Sequence, residues 1–145
     1  MSMETPAITA YLTRYATTLT EFDAEGAVEL WSTPGMIVSD EFSGVVDSRE
    51  SMAVGLKSSY PLYQRLGLAS VDYELLEEQR LTEKMGLVKV RWLFLNSAAE
   101  LLTDSTSYYL LRDEESGLQA CLCVETDSAE KIRALALKLG VDLTA

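Results

Sequence analysis

The sequence predicts an α+β fold: helices first, packed on a strongly curved, mainly antiparallel sheet, with one more helix at the C-terminus. Three observations predict it. Apolar residues recur at helical spacing through the N-terminal part, the period falls to two from Leu68, and long alternating runs joined by short turns then follow. A short hairpin-like pair over residues 36–46 is wedged between the helices.

Thr5 followed by Pro6 reads as an N-cap with proline in the first turn, and Ile8, Tyr11, Leu12, Tyr15, Ala16 and Leu19 continue at helical spacing. Asp23 caps a shorter second helix whose Ala27, Val28, Leu30 and Trp31 face inward, ended by the turn chemistry of Thr33, Pro34 and Gly35. Residues 36–39 form a brief strand, and Ser43-Gly44 turns the chain into Val45-Val46. Asp47, with Glu50 three residues on, reads as a capping box for a third helix carrying Met52, Leu56, Tyr60 and Tyr63 on one face. Pro61 is expected to kink or interrupt that helix, and Gly67 to end it.

Ala69, Val71, Tyr73 and Leu75 then alternate with polar neighbours, and the phase slips at Leu75-Leu76, as a bulge would make it. Val88, Val90, Trp92 and Phe94 share one face of the next strand, with Lys89 and Arg91 on the other. Runs over 101–111 and 118–124, joined by a polar hairpin loop over 113–117, complete a meander. Ser128 is expected to cap a final helix carrying Ile132, Leu135, Ala136 and Leu139, closed by Gly140. Leu93 and Leu95 beside Trp92 and Phe94 make the strands apolar on both faces in places, so a homodimer through the sheet is expected to cover the second face.

Composition narrows the chemistry. The 145 residues are read as one domain spanning 1–145, long enough to bury roughly two-thirds of the unfolded surface. Twelve basic against 23 acidic residues give a net charge of −11, which repels phosphate backbones and anionic lipid heads, so no nucleic acid and no membrane partner is expected. There is no histidine, which removes every mechanism that needs an imidazole base or ligand. Cys121 and Cys123, two apart on a strand, point the same way in poor disulfide geometry and read as reduced thiols, with no metal site and no cofactor. Residues 1–6 carry no leader-like pattern and no apolar run reaches membrane length, so a cytoplasmic location is expected.

The stretch from Arg14-Tyr15 through Phe22-Asp23-Ala24-Glu25-Gly26-Ala27-Val28-Glu29-Leu30-Trp31 to Met36-Ile37-Val38-Ser39-Asp40 resembles the nuclear transport factor 2-like superfamily, which includes SnoaL-like cyclases, ketosteroid isomerases and many proteins of unknown role. The resemblance covers nearly the whole chain. It implies a cystatin-like cone: a pocket between the concave face of the sheet and the helices, in a protein that pairs as a dimer. Laid against ketosteroid isomerase, Tyr15 falls at the oxyanion-hole tyrosine and Asp40 at about the proton-shuttling aspartate. Ser107 or a neighbour stands where the isomerase has a protonated aspartic acid, so the hole loses its second strong donor.

The residues support the same chemistry without the resemblance. A desolvated carboxylate at the mouth of an apolar pocket gains base strength, and a buried tyrosine hydroxyl polarises a carbonyl, which Asp40 and Tyr15 could do. The plainer reading has Asp40 beginning a loop, bonded to amides over 41–43, and Tyr15 as helix core. Trp31, Tyr60, Tyr63, Trp92 and Tyr108, with Ser107, read as ligand-binding or as core. Arg91 pairs with Asp104 or Glu125 across strands, and an epoxide-hydrolase-like set would need Arg91 inside the pocket between two carboxylates. Three functions follow: a binder of a small apolar or carbonyl-bearing molecule, an isomerase- or cyclase-type enzyme using Asp40 and Tyr15, and an interaction module using the sheet.

Overall fold

The computed structural model describes residues 4–143, so the leader reading at 1–6 lies partly outside the described residues. Helix α1, Thr5–Thr20, carries proline in its first turn and buries Ile8, Tyr11, Leu12, Tyr15 and Ala16. Glu4 rather than Thr5 is its N-cap; the Thr5 hydroxyl donates to Glu78 instead. Helix α2, Ala24–Val28, is capped by Asp23, whose carboxylate accepts from the Gly26 amide.

Leu30 and Trp31 are not on α2. Trp31 opens strand β1, Trp31–Val38, and Thr33-Pro34-Gly35, with a cis Thr33–Pro34 peptide, lies within that strand instead of ending a helix. The reason is long-range: the Ala120 amide donates to the Leu30 carbonyl, Trp31 pairs with Ala120, and the Arg49 guanidinium donates to the carbonyls of Val28 and Trp31. Partners that distant in sequence override local turn chemistry. Gly35 is needed where the register shifts between Trp31 and Met36, because an added Cβ would sit 2.9 Å from the Ser32 carbonyl and 3.2 Å from the Trp31 ring. Gly35→Ala is expected to cost about 1–3 kcal/mol in urea denaturation, as other overpacking changes do; an unchanged midpoint would mean that β1 yields freely there.

The turn after β1 comes earlier than expected, closed by the Ser39 amide on the Phe42 carbonyl, so Ser43 and Gly44 already belong to β2, Ser43–Val46. Helix α3, Arg49–Arg65, takes Ser48 as its N-cap in place of the Asp47 box, the hydroxyl accepting from the Ser51 amide. It is not interrupted at Pro61, which sits on the exposed side, where water can serve the carbonyl one turn back. Gly67, at φ 94°, ends it as expected.

Strands β3 (Ser70–Arg80), β4 (Met85–Leu95), β5 (Leu101–Glu114) and β6 (Gly117–Glu125) form the antiparallel meander, and β3 has its bulge between Leu75 and Glu77. The β5–β6 hairpin loop shortens to Glu115 and Ser116, because both strands keep pairing to Glu114 and Gly117. The six-stranded curved sheet runs β2-β1-β6-β5-β4-β3, antiparallel except that β1 lies parallel to β6. Cys121 is left out of register between Ala120 and Leu122. This offset gives the two free thiols different neighbours, Tyr109 and Ser107 for Cys123 but Ser32 and Arg112 for Cys121.

Helix α4, Ser128–Leu139, packs Leu135 and Ala136 against Leu66 and ends at Gly140, φ 71°. Its N-cap is Asp127, not Ser128; the carboxylate makes no cap bond because it accepts from the Thr106 amide. The largest core cluster lies between α1 and the concave face, around Leu12, Trp31, Val90 and Leu111. No helix among the described residues is long and apolar enough to cross a membrane.

Candidate functional site

The register of the sheet selects the side chains that face the helices. Ile37, Cys123, Tyr109 and Val88 form one row across four strands, and Glu125, Ser107, Val90 and Leu75 form the next. Tyr15 and Leu19 of α1 and Met52, Leu56, Tyr60 and Tyr63 of α3 close over these rows, leaving a cavity of about 190 Å3. Trp31, Trp92, Phe94, Ser105 and Ser107 also line it.

Its polar groups are organised by the indoles. Trp31 Nε1 donates to the Tyr15 hydroxyl at 2.9 Å, and Trp92 Nε1 donates to the Tyr109 hydroxyl at 3.1 Å. Burial pushes the pKa of both phenols above the ordinary value, and for Tyr15 hydrogen bonds from Trp31 and Tyr109 act in the opposite sense. Tyr15 therefore stays protonated, and with its oxygen already accepting, its O–H is the donor it can offer to the cavity. Burial also raises Tyr63, with a smaller contribution from Glu125, and holds the Cys123 thiol up at about 12. The Tyr60 hydroxyl is buried with no hydrogen-bond partner among the described residues.

Glu125, which the sequence offers only as an alternative to Asp104 for pairing with Arg91, faces the cavity instead. It lies two positions beyond Cys123 on the same alternating strand, and that spacing was the signal that could have turned it inward. Its carboxylate lines the cavity and also both surface grooves that meet there, one beside α4 and one between β2 and α3. Among the described residues no side chain pairs with it, and burial alone raises its pKa. Folding thus favours the protonated form. The stability that this protonation contributes is fully present below the ordinary carboxyl value of 4.5 and is lost as pH rises through the raised folded value. Glu125→Gln is expected to remove that loss: its melting temperature should exceed that of the parent at pH 7 and match it at pH 3.5, and parallel curves at both pH values would refute the assignment.

Two expected site residues are elsewhere. Asp40 is exposed on the loop between β1 and β2 and lines the groove beside α4, not the cavity that holds Tyr15. The early turn at Ser39 carries it outward. Tyr108 faces the convex side, with Lys89 Nζ 5.6 Å from its ring centroid, because its neighbours Ser107 and Tyr109 both point inward. Arg91, beside inward Trp92, is likewise outside: it pairs with Asp104 at 2.6 Å and Glu74 at 2.9 Å, and Lys131 of α4 also bonds Asp104. An epoxide-hydrolase-like set is therefore not assembled in the cavity. Among the described residues no group of three or more Cys, Asp or Glu side chains is placed to hold a metal.

The sequence profile described as NTF2-like protein (DUF6841) matches residues 4–128. The chain belongs to this NTF2-like family. No curated protein matches the NTF2-like chain in sequence. Among solved structures, a domain of unknown function with a cystatin-like fold from Nostoc punctiforme is similar, with a TM-score of 0.68 at 14% identity over 93% of this chain and 95% of that one. An NTF2-like protein from Shewanella oneidensis gives 0.68 at 14% identity over 85% and 98%. A ketosteroid isomerase-like protein from Erwinia carotovora atroseptica gives 0.64 at 16% identity over 87% and 97%. At these identities the likeness is one of fold.

Proposed function

We propose that this NTF2-like protein is a cytoplasmic, single-domain binder of a small, largely apolar molecule whose carbonyl or hydroxyl oxygen accepts the Tyr15 proton. The observation that carries the reading is the aromatic-walled cavity of about 190 Å3, in which indole donors fix the orientation of both inner phenols. A dry cavity of about 150 Å3 holds benzene, whereas drug-sized ligands need roughly 300 Å3 or more, so the guest is a single ring with few substituents. Both tryptophans line the space, so titrating cyclohexanone and substituted monocyclic ketones against intrinsic fluorescence tests the reading. Saturable quenching that survives Asp40→Asn supports it, and no change with any member of the series overturns it.

A second reading is favoured by one observation, the unpartnered Glu125. An isomerase- or cyclase-type enzyme on a small carbonyl compound would use Glu125, not Asp40, to take a proton beside the carbonyl while Tyr15 holds the oxygen. Exchange of those protons with deuterated water, lost in Glu125→Gln, distinguishes it from simple binding.

We also propose a homodimer through the convex face of the sheet. Val45, Met36, Leu122, Leu110 and Leu87 form a continuous apolar row across five strands, with Val45 59% and Met36 38% exposed. Light scattering at micromolar concentration is expected to give twice the chain mass.

A further inference from the structure

We propose that the guest of this cavity carries a protonated amine on its small apolar body, with the ammonium group seated against Glu125. The inference rests on the pocket reading above and names the ligand class. The geometry of the cavity and the charges around it carry the inference. The Glu125 carboxylate projects from the concave face into the cavity in the row of Ser107 and Val90, and among the described residues nothing pairs with it. A carboxylate drawn partly out of water with no partner is a loss that a bound cation reverses.

The walls suit a cation as well as an apolar body. Phe22, Tyr60, Tyr63, Trp92 and Phe94 present aromatic faces and edges, and among the described residues no lysine or arginine lines the cavity. A carboxylate or phosphate guest would meet Glu125 with no counter-charge, whereas an ammonium meets one carboxylate and several rings.

The approaches carry the same sign. In the groove beside α4 the ionisable neighbours of Glu125 are Asp40, Glu41, Asp127, Glu130 and Arg133; in the groove between β2 and α3 the neighbour is Asp47. Arg133, the one cation there among the described residues, pairs with Glu41 at 3.9 Å. Inside, Tyr15, Tyr63, Tyr109 and Cys123 all stay protonated at neutral pH, since burial raises each of them. With a net charge of −11, the chain as a whole draws cations toward this mouth.

The test compares three probes of one size: benzylamine, benzyl alcohol and benzoate, titrated by tryptophan fluorescence at pH 7.5 in 0.15 M salt. Benzylamine is expected to bind about tenfold or more tighter than benzyl alcohol, the usual size of a charge-assisted contact, and benzoate not measurably. The preference should fall as pH drops and Glu125 takes up its proton. Glu125→Gln should bring amine and alcohol within about twofold, while Glu130→Gln on the rim keeps the preference, which separates a seat in the cavity from attraction to an acidic surface. Should Glu125→Gln fail to fold, the pH dependence of the unmodified protein decides. If benzyl alcohol binds as well as benzylamine, or Glu130→Gln abolishes the difference, the amine assignment falls and the pocket stands. If none of the three probes or the ketones binds, both fall.

Discussion

Trp31→Ala is expected to remove about 3–5 kcal/mol of stability, the range for truncating a buried tryptophan. Domains of this kind hold only about 5–15 kcal/mol in total, so the variant should sit close to unfolding at 37 °C. Trp31 is 1% exposed, pairs with Ala120 where β1 joins β6, packs its ring by Gly35 and anchors the Tyr15 hydroxyl. Its removal opens the wall of the cavity and frees the junction of the two halves of the sheet at once. Urea denaturation followed by far-UV circular dichroism measures the effect. A loss under about 1 kcal/mol would show that the junction does not depend on this ring.

Tyr15→Phe is expected to cost about 1–3 kcal/mol although only an oxygen is lost, because the buried Trp31 indole N–H would then have no acceptor. The size of the phenyl ring is unchanged, so the effect separates hydrogen bonding from packing. Placing the same change in a Trp31→Phe background removes donor and acceptor together, and the cost of losing the Tyr15 hydroxyl should shrink by roughly 1 kcal/mol or more. Strict additivity, within about 0.5 kcal/mol, would mean that the indole and the phenol are not coupled. The same variant should weaken ketone binding, since the proton offered to the guest is gone.

Much of the architecture was legible because it is written locally. The fall in period at Leu68, the phase slip at Leu75-Leu76 and the glycine stops at Gly67 and Gly140 each act within a few residues, and each stands where periodicity and turn chemistry put it. What was misread depends on distant partners. Trp31 belongs to a strand because Ala120 is beside it, and α4 starts from Asp127 rather than Ser128 with that carboxylate turned to the Thr106 amide. The candidate site divides in the same way. Tyr15, Tyr60, Tyr63, Trp92 and Ser107 line the cavity as helical and strand phase place them, and Trp31 lines it from a strand rather than a helix. Tyr108 was assigned beside Ser107, although adjacent strand residues cannot share a face. Spacing alone puts Asp40 beside the isomerase aspartate, and the tight turn at Ser39 swings it out; of the two partners the sequence offers Arg91, Asp104 makes the ion pair, while Glu125, two beyond Cys123, turns inward.

The parallel pairing of β1 with β6 has a consequence for synthesis. A chain still on the ribosome with β1 through β5 emerged has one border of β1 and one border of β5 uncovered, and both wait for the same late segment, Gly117–Glu125. The meander can zip up as it appears, but the seam between early and late segments closes last, and Glu125 arrives with that closing strand. Molecules halted before it expose two unpaired strand edges and an unclosed cavity, the arrangement most open to pairing with another chain.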